Sequence, residues 1–432
     1  MSIATVFRRP CNDRAGLNGK KAASSSKDPL LTYSSSVSNP PVLGFSELNA
    51  RPHETFAEYR SVVPFLKRED GAHLLLRGHD VQRFVKDPKT RQVETELLSA
   101  RGIKAGPLVD LVENSMLFSN GEVHRRRRQA MAKCFSFSLM QRIRPEVRRL
   151  AQGIINSDAH AAGFKLRDDF AAVIPAVTLA AILGISQSDV PLFTSLAYRV
   201  SKVLTTSWVA ADLPDMEEAT RQLVLYCEGL MAERRRQPQD DFLSQYVSSV
   251  DGNADLSPTE AVMQLVSVVL GGTDTTRAAI VIQIGLLLER PDIWNAVKAD
   301  DRLIALAVAE SLRLEPAVAS IPRLVVDEID IEGHLIPRGS VLLLSTMSAL
   351  RDPLQFPQPD EFDLHRERPR WHPVYGDGEH RCLGQALAQI EMEEALCAVM
   401  ESRRELRMED QTLRVSGHAG IRQVEDIFVQ FS

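Results

Sequence analysis

The chain has 432 residues, 44% of them apolar and 25% charged, the balance of a globular protein able to bury a large core. A net charge of −6 argues against nucleic acid as a main partner. Five widely spaced cysteines (Cys11, Cys134, Cys227, Cys382 and Cys397) suggest no disulfide framework and fit a reducing cytoplasm.

Arg8 and Arg9 are not followed by an apolar stretch, so no secretory signal is read at the N-terminus. Residues 1–41, with serine runs at Ser24–Ser26 and Ser34–Ser36, have little to bury. They are expected to form a disordered tail ahead of a single domain, residues 42–432. His73–Leu76 followed by Asp80–Val85 predicts a short strand and a helix. Arg91–Phe118 reads as a long irregular segment, broken at Gly102 and at Gly106–Pro107. Helical periodicity dominates from Glu122 to Arg290, with a turn at Gln237–Pro238 and a loop at Asp251–Asp255. Strand-like runs come later, at Arg323–Val326, Ile329–Ile331 and Val341–Leu344, with Pro337–Gly339 turning between the last two. The pattern is mainly α with a minor β portion. No run of about 18 apolar residues occurs, so no membrane anchor is expected.

The helix after Asp255 has a strong start. Ser257 reads as its N-cap, Pro258 as its first helical residue, and Glu260 as the closing member of a capping box. It runs to Arg290, where Pro291 stops it, and about 30 residues at 1.5 Å each span roughly 45 Å. Val266, Val269, Leu270 and Ile280 make it apolar on most faces, hence central and buried. In its middle Gly271-Gly272-Thr273-Asp274-Thr275-Thr276 is a poor helix former. Its hydroxyls can bond back to preceding carbonyls and bend the axis. Taken alone this reads as a kinked core helix; it also reads as a local opening with room for a diatomic ligand and water.

The stretch Tyr375-Gly-Asp-Gly-Glu-His-Arg-Cys382-Leu-Gly-Gln-Ala-Leu-Ala388 organises the chain. Gly376 and Gly378 allow positive φ, and Gly384 leaves room beside the sulfur. Leu383, Leu387 and Ile390 begin an apolar stripe, so Cys382 stands near a helix N-terminus, where free N–H groups favour a thiolate. A lone cysteine in such a place is more often a buried structural residue. With loop backbone close beside it, a thiolate there can also ligate haem iron axially.

Charged residues add to this. His124 and Arg128 share a helix face. Arg125 and Arg127, with Lys133, read either as a solvated face or as a basic docking surface for an acidic partner. Glu310 and Arg313 form an i, i+3 pair, worth a few tenths of a kcal/mol if exposed.

The cysteine stretch resembles the haem-binding loop F-G-x-G-x-H-x-C-x-G-x-x-L-A of the cytochrome P-450 (haem-thiolate monooxygenase) superfamily, departing only at Tyr375. Gly271–Thr276 resembles that family's A/G-G-x-D/E-T-T, Glu310–Arg313 its E-x-x-R, and His124–Arg128 its H-x-x-x-R. All occur in family order, and the likeness runs from about Leu43 to Phe431. It implies a triangular, mainly α fold with a minor β subdomain and a long central helix over one haem b, in the soluble bacterial type. Cys382 would be the axial ligand and Tyr375 the ring shielding its sulfur. His124, Arg128, Arg323 and His380 would meet the propionates, and Asp274 with Thr275 would deliver protons for dioxygen cleavage. The implied activity is oxygenation of a hydrophobic small molecule (a terpenoid, steroid or fatty acid). Electrons would come from NAD(P)H through a separate reductase and ferredoxin, since no flavin or iron–sulfur motif occurs. A peroxide-driven enzyme or a haem sensor without turnover on the same fold is the alternative; the peroxide-driven kind tends to lose the acid–alcohol pair. Substrate would meet Val318, Ile321, Trp208 and Phe118, with His418 or Arg422 free to anchor a carboxylate. The third partner of Glu310 and Arg313 is open, because Glu361 stands where the family has an arginine; Arg366 is one substitute.

Overall fold

The computed structural model describes residues 39–431 apart from 136, 206–207, 253–254, 368–371, 403–404 and 409–411, so most of the expected disordered tail lies outside the described residues. Six short strands form the main sheet: β1 (Val42–Leu43), β2 (Phe65–Arg68), β3 (His73–Leu75), β4 (Thr90–Gln92), β5 (Ser320–Val325) and β6 (Val341–Ser345). Their spatial order is β1-β2-β3-β6-β5-β4. β3 and β6 run parallel with Leu74 opposite Leu343, while β5 pairs antiparallel with β6 and with β4, setting Arg323 opposite Leu342 and Gln92. Leu74, Leu75, Leu342 and Leu344 are buried, as apolar runs without alternation require when both sheet faces are covered. Smaller sheets join Phe164–Lys165 to the C-terminal strands and pair Ile329–Ile331 with His334–Ile336, a strand the sequence reading did not assign.

Eight helices matter to the site: α1 (Pro52–Arg60), α2 (Gly121–Ala132), α3 (Phe137–Ile155), α4 (Val190–Ser201), α5 (Leu213–Arg236), α6 (Pro258–Leu288), α7 (Ile304–Leu314) and α8 (Gln385–Met400). The capping box forms as read: Ser257 Oγ accepts the Glu260 N–H at 3.1 Å and Glu260 accepts the Ser257 N–H at 3.0 Å. α6 then runs unbroken through Gly271–Thr276, so the expected opening of its ladder does not occur. Its length and mean hydropathy of 1.4 would suit a membrane span, but 78% of that window is buried inside the protein. α6 is the core: α4, α5, α7 and α8 pack around it, each fully buried Leu, Ile or Val contributing about 1.5–3 kcal/mol.

The stretch from Arg91 to Phe118 is more regular than expected. It holds helices at Glu96–Ala100 and Pro107–Asn114. Gly106, at φ +120°, hands the chain to Pro107 in the first helical position, so the Gly-Pro pair starts a helix instead of ending structure. α8 is fastened to α3 by ion pairs from Arg144 to Glu393 and Glu394 and from Arg148 to Glu394 and Glu401, which steadies the loop preceding α8.

Candidate active site

Gly384 caps α8, and Cys382 sits two residues before that cap. The Cys382 N–H donates to the Tyr375 carbonyl at 2.8 Å, closing the loop on itself. Gly376 and Gly378 have φ of +65° and +64°, the backbone state for which glycine was expected there. Cys382 is exposed and lines a cavity with about 1160 Å³ of empty space, part of it open to solvent. The surrounding protein still pushes its thiol up by burial, opposed by the Gly384 N–H and by Arg128 and Arg381. Tyr375 lines the same cavity, and its phenol is raised by burial and then by Cys382.

Across the cavity α6 presents Gly271, Gly272, Thr275 and Thr276. Thr275 Oγ1 donates to the Gly271 carbonyl and Thr273 Oγ1 to that of Val269, each at 3.1 Å, the back-bonding expected of this run. Asp274 points elsewhere. It lines an outer cleft with Tyr198 and Trp208 and is ion-paired to Arg277, whose guanidinium lies 4.3 Å from the centre of the Tyr198 ring. Successive residues on a helix are about 100° apart, so neighbours in sequence face different spaces.

One side of the cavity carries His124, Arg128 and His380, with Arg323 close by and the Glu379 carboxylate 3.9 Å from His380 Nε2. Arg128 donates to the Arg381 carbonyl and is lowered by burial. Arg323, buried on β5, donates to Thr90 Oγ1 at 3.2 Å and to the Thr90 carbonyl at 3.1 Å; burial pushes it down to about 10. The His380 ring stacks 3.9 Å from that of His124, and its Nε2 is buried with no hydrogen-bond partner. Burial, then His124, Arg323 and Arg128, push His380 down to about 3. His124 itself bridges the carbonyls of Met116 and Glu379 at 2.9 Å each.

The family model for cytochrome P450 matches residues 110–412. The chain belongs to the cytochrome P450 family. It is 40% identical over 394 residues to the plant-inducible cytochrome P450-pinF1 of Rhizobium radiobacter, covering 91% of this chain and 93% of that one. It is 30% identical over 340 residues to the mycinamicin IV hydroxylase/epoxidase of Micromonospora griseorubida, covering 76% and 81%. The solved structure of CalO2 superposes with a TM-score of 0.83 at 22% identity over 90% of this chain and 97% of that one. CxnD, a cytochrome P450 for C–S bond formation in chuangxinmycin biosynthesis, does so at 0.79 and 27% identity over 90% and 97%. The protein is therefore a cytochrome P450 monooxygenase of the bacterial type, built on the fold the motifs implied.

The residues present fit the family's haem-thiolate group. A thiol opens on a cavity walled by Leu312, Val318, Val374 and Leu387, and at one edge stand Arg128 and His380, whose buried Nε2 has no hydrogen-bond partner, where two propionates would find donors.

Several other expectations for this P450 change. Arg127 is not on a docking face: it is buried, donating to Glu260 Oε1 at 3.0 Å, and Arg126 pairs with the same carboxylate at 2.6 Å. Arg125 is exposed and pairs with Glu122, and Lys133 is exposed. Glu310 and Arg313 are not an everyday surface pair, since both are buried, and Arg366 is their third partner, donating to Glu310 Oε1 at 2.9 Å. Arg313 also donates to the carbonyls of Pro359 and Glu361. Val318 lines the cavity as expected, but Phe118 and Trp208 pack in a separate apolar cluster with Leu98, Leu108 and Met216, and Ile321 packs against the sheet. Neither tail cation is free for a substrate carboxylate: His418 Nδ1 meets Asn49 Oδ1 at 2.7 Å and Arg422 is paired with Glu315.

Sequence reasoning missed Glu391. It lines the cavity, is fully buried with Oε1 unpartnered, and is held well above the usual carboxylate range by burial. Its position four residues after Leu387, on the buried face of α8, was the available signal.

Proposed function

We propose that this P450 binds haem b through the Cys382 thiolate and inserts one oxygen atom of dioxygen into a hydrophobic small molecule in the cytoplasm. The observation that carries the reading is that Cys382 and Thr275 line one cavity, with Arg128 and His380 in its wall and Arg323 close to His380. Haem held there supplies the reduction and cleavage of dioxygen.

The chain's own groups do the rest. His124, Arg128, Arg323 and His380 hold the propionates, and Tyr375 covers the sulfur. Thr275 both donates and accepts through one hydroxyl, so it passes protons at the cavity wall. Asp274, on the outer cleft, takes protons from solvent and hands them toward Thr275 through water. Electrons come from NAD(P)H through a ferredoxin-type donor and its reductase; the exposed Arg125 and Lys133 form part of a basic face for an acidic donor. With His418 and Arg422 engaged elsewhere, a neutral terpenoid or steroid suits the tail turn better than a fatty acid. The mycinamicin IV hydroxylase/epoxidase among the relatives fits oxygen insertion as the reaction.

The test is the reduced, carbon-monoxide-bound spectrum of the purified protein, followed by product formation with NAD(P)H, ferredoxin and reductase against product formation with peroxide. A thiolate-type Soret shift with NAD(P)H-driven product supports the reading. Absence of the shift sinks the ligand assignment, and turnover only with peroxide moves the protein to the peroxide-driven class.

A further inference from the structure

The segment Ser115–Leu117, just after the helix Pro107–Asn114, has its backbone groups taken up by side chains of α2 and α6. Arg127 Nη1 donates to the carbonyls of Glu113 at 2.8 Å and Ser115 at 3.3 Å. The Ser115 hydroxyl accepts the Leu117 N–H at 3.0 Å and meets Ser267 Oγ at 2.7 Å. Gln264 of α6 does the most. It is 0% exposed, and its Oε1 accepts the Met116 N–H at 2.7 Å. Its Nε2 donates to the Asn114 carbonyl at 2.7 Å and to the Glu260 carbonyl at 2.6 Å. Met116 is thereby held from both ends, its N–H on Gln264 and its carbonyl 2.9 Å from His124 Nδ1. His124 carries the chain onward, since its Nε2 lies 2.9 Å from the carbonyl of Glu379 in the cysteine loop. Met116, Leu117 and His124 all line the cavity that Cys382 and Thr275 share. A run of close polar contacts thus crosses from α6 to the cysteine loop through Gln264, Met116 and His124. Without the Gln264 amide, the Met116 N–H and the Asn114 carbonyl would lose their partner inside the protein, and buried backbone groups shift until they are satisfied. Any such shift moves the carbonyl against which the His124 ring is set, and the outer partner of an imidazole fixes how its other nitrogen is presented.

We propose that Gln264 is a positioning residue for the haem: through Met116 it sets the His124 ring at the cavity edge, so that an amide of the central helix governs how firmly the cofactor is held. The inference rests on the haem-thiolate reading above. Gln264 does not itself line the cavity and acts only through the residue it holds.

The experiment follows haem loss from the ferric holoprotein to an excess of apomyoglobin, read in the Soret band. Gln264→Met keeps the length of the side chain but bonds neither backbone group. It is expected to speed haem loss at least about tenfold, the lower end of what removing an outer partner costs a bound group. His124→Phe, which cannot hold a propionate, should speed it as well. In the double variant the effects should not add: Gln264→Met should raise the rate less than about twofold over His124→Phe alone, because the amide acts through that ring. A rate unmoved by either single variant overturns the inference. So does an equal acceleration by Gln264→Met with and without His124, which would mark Gln264 as a general support of the core. Should Gln264→Met yield no holoprotein, hydrogen exchange on the wild type decides. The Met116 N–H should then exchange at least about a hundredfold more slowly than an open amide, and exchange at the open rate overturns the inference. Carbon-monoxide spectra separate the two levels. A wild type without the thiolate shift overturns both readings, whereas a normal spectrum with an unmoved rate in Gln264→Met overturns the role of Gln264 alone.

Discussion

Glu310 offers the sharpest energetic test. Its Oε1 accepts from Arg313 Nη2 at 2.8 Å, Arg366 Nε at 2.9 Å and the Asp363 N–H at 3.0 Å, while Oε2 accepts from Arg313 Nε at 2.9 Å. Glu310→Gln keeps the shape but puts an amide N–H₂ among these donors and strips the carboxylate that both guanidiniums contact. Arg313 is then a buried cation with no counter-charge, a situation that costs about 3–5 kcal/mol. A domain of about 400 residues unfolds with an entropy of roughly 0.8 kcal/mol/K, so the midpoint falls by about 4–6 °C. Arg366→Gln is milder, because Glu310 keeps Arg313 and the carbonyls of Pro357, Gln358 and Glu361 that Arg366 releases are met at the exposed surface; losing the charge-assisted bond to Glu310 costs about 1.5–3 kcal/mol. Thermal melts followed by circular dichroism at one scan rate, on both single variants and the double, give the ordering and the coupling. Equal losses in the two single variants, or a Glu310→Gln loss below about 1 kcal/mol, would refute the idea that this carboxylate neutralises two cations at once.

Three further outcomes are expected. Cys382→Ser should still fold, yet lose the thiolate-type carbon-monoxide spectrum and NAD(P)H-driven product together; a retained shift would move the ligand elsewhere. Thr275→Ala should keep consuming NAD(P)H while product formed per NAD(P)H drops at least about tenfold, and unaltered coupling would contradict its part in proton delivery. Glu260 is held down to about 2 by Arg126, helped by the Ser257 N–H and Arg127 against burial. Its folded pKa lies below its unfolded one, so its stabilisation is full above about pH 4.5 and fades as pH falls toward 2. The stability gap between wild type and Glu260→Gln, measured by urea unfolding across that window, should therefore close as the solution is acidified; a gap independent of pH would show that charge is not what Glu260 contributes.

What could be read from the sequence was what depends on local hydrogen bonding or on φ. Ser257 and Glu260 close on each other within one turn, and Gly376 and Gly378 adopt the conformation only glycine takes readily. What could not be read depends on partners far along the chain. Arg127 and Arg128 are neighbours in a run of four arginines, and nothing local says that Glu260, more than a hundred residues on, takes Arg127 inward. Strands of two to four residues, such as β1 and β4, are too short for alternation to register. The departure at Glu361 looked like a loss, yet that position contributes its backbone carbonyl to Arg313 and Arg366, which any residue can supply. The guanidinium it lacks comes instead from Arg366, five residues later.

The same distinction bears on Asp274 and Thr275. Read as letters they are one motif, adjacent and chemically complementary. Folded into α6 they sit on different faces, Thr275 toward Cys382 and Asp274 toward the outer cleft, where Arg277 pairs with it. A direct handover of a proton between their side chains is not available in this arrangement, since the two open on different spaces. Transfer across the helix needs either water between the two spaces or a turn of Asp274 away from Arg277. Two successive glycines in the preceding positions make that passage less obstructed than side chains would: at Gly271 a Cβ meets nothing within 4 Å, and at Gly272 it meets only the Leu179 side chain. The helix-weakening pair thus sits in a helix that runs unbroken, and what it leaves is space on the wall beside Thr275.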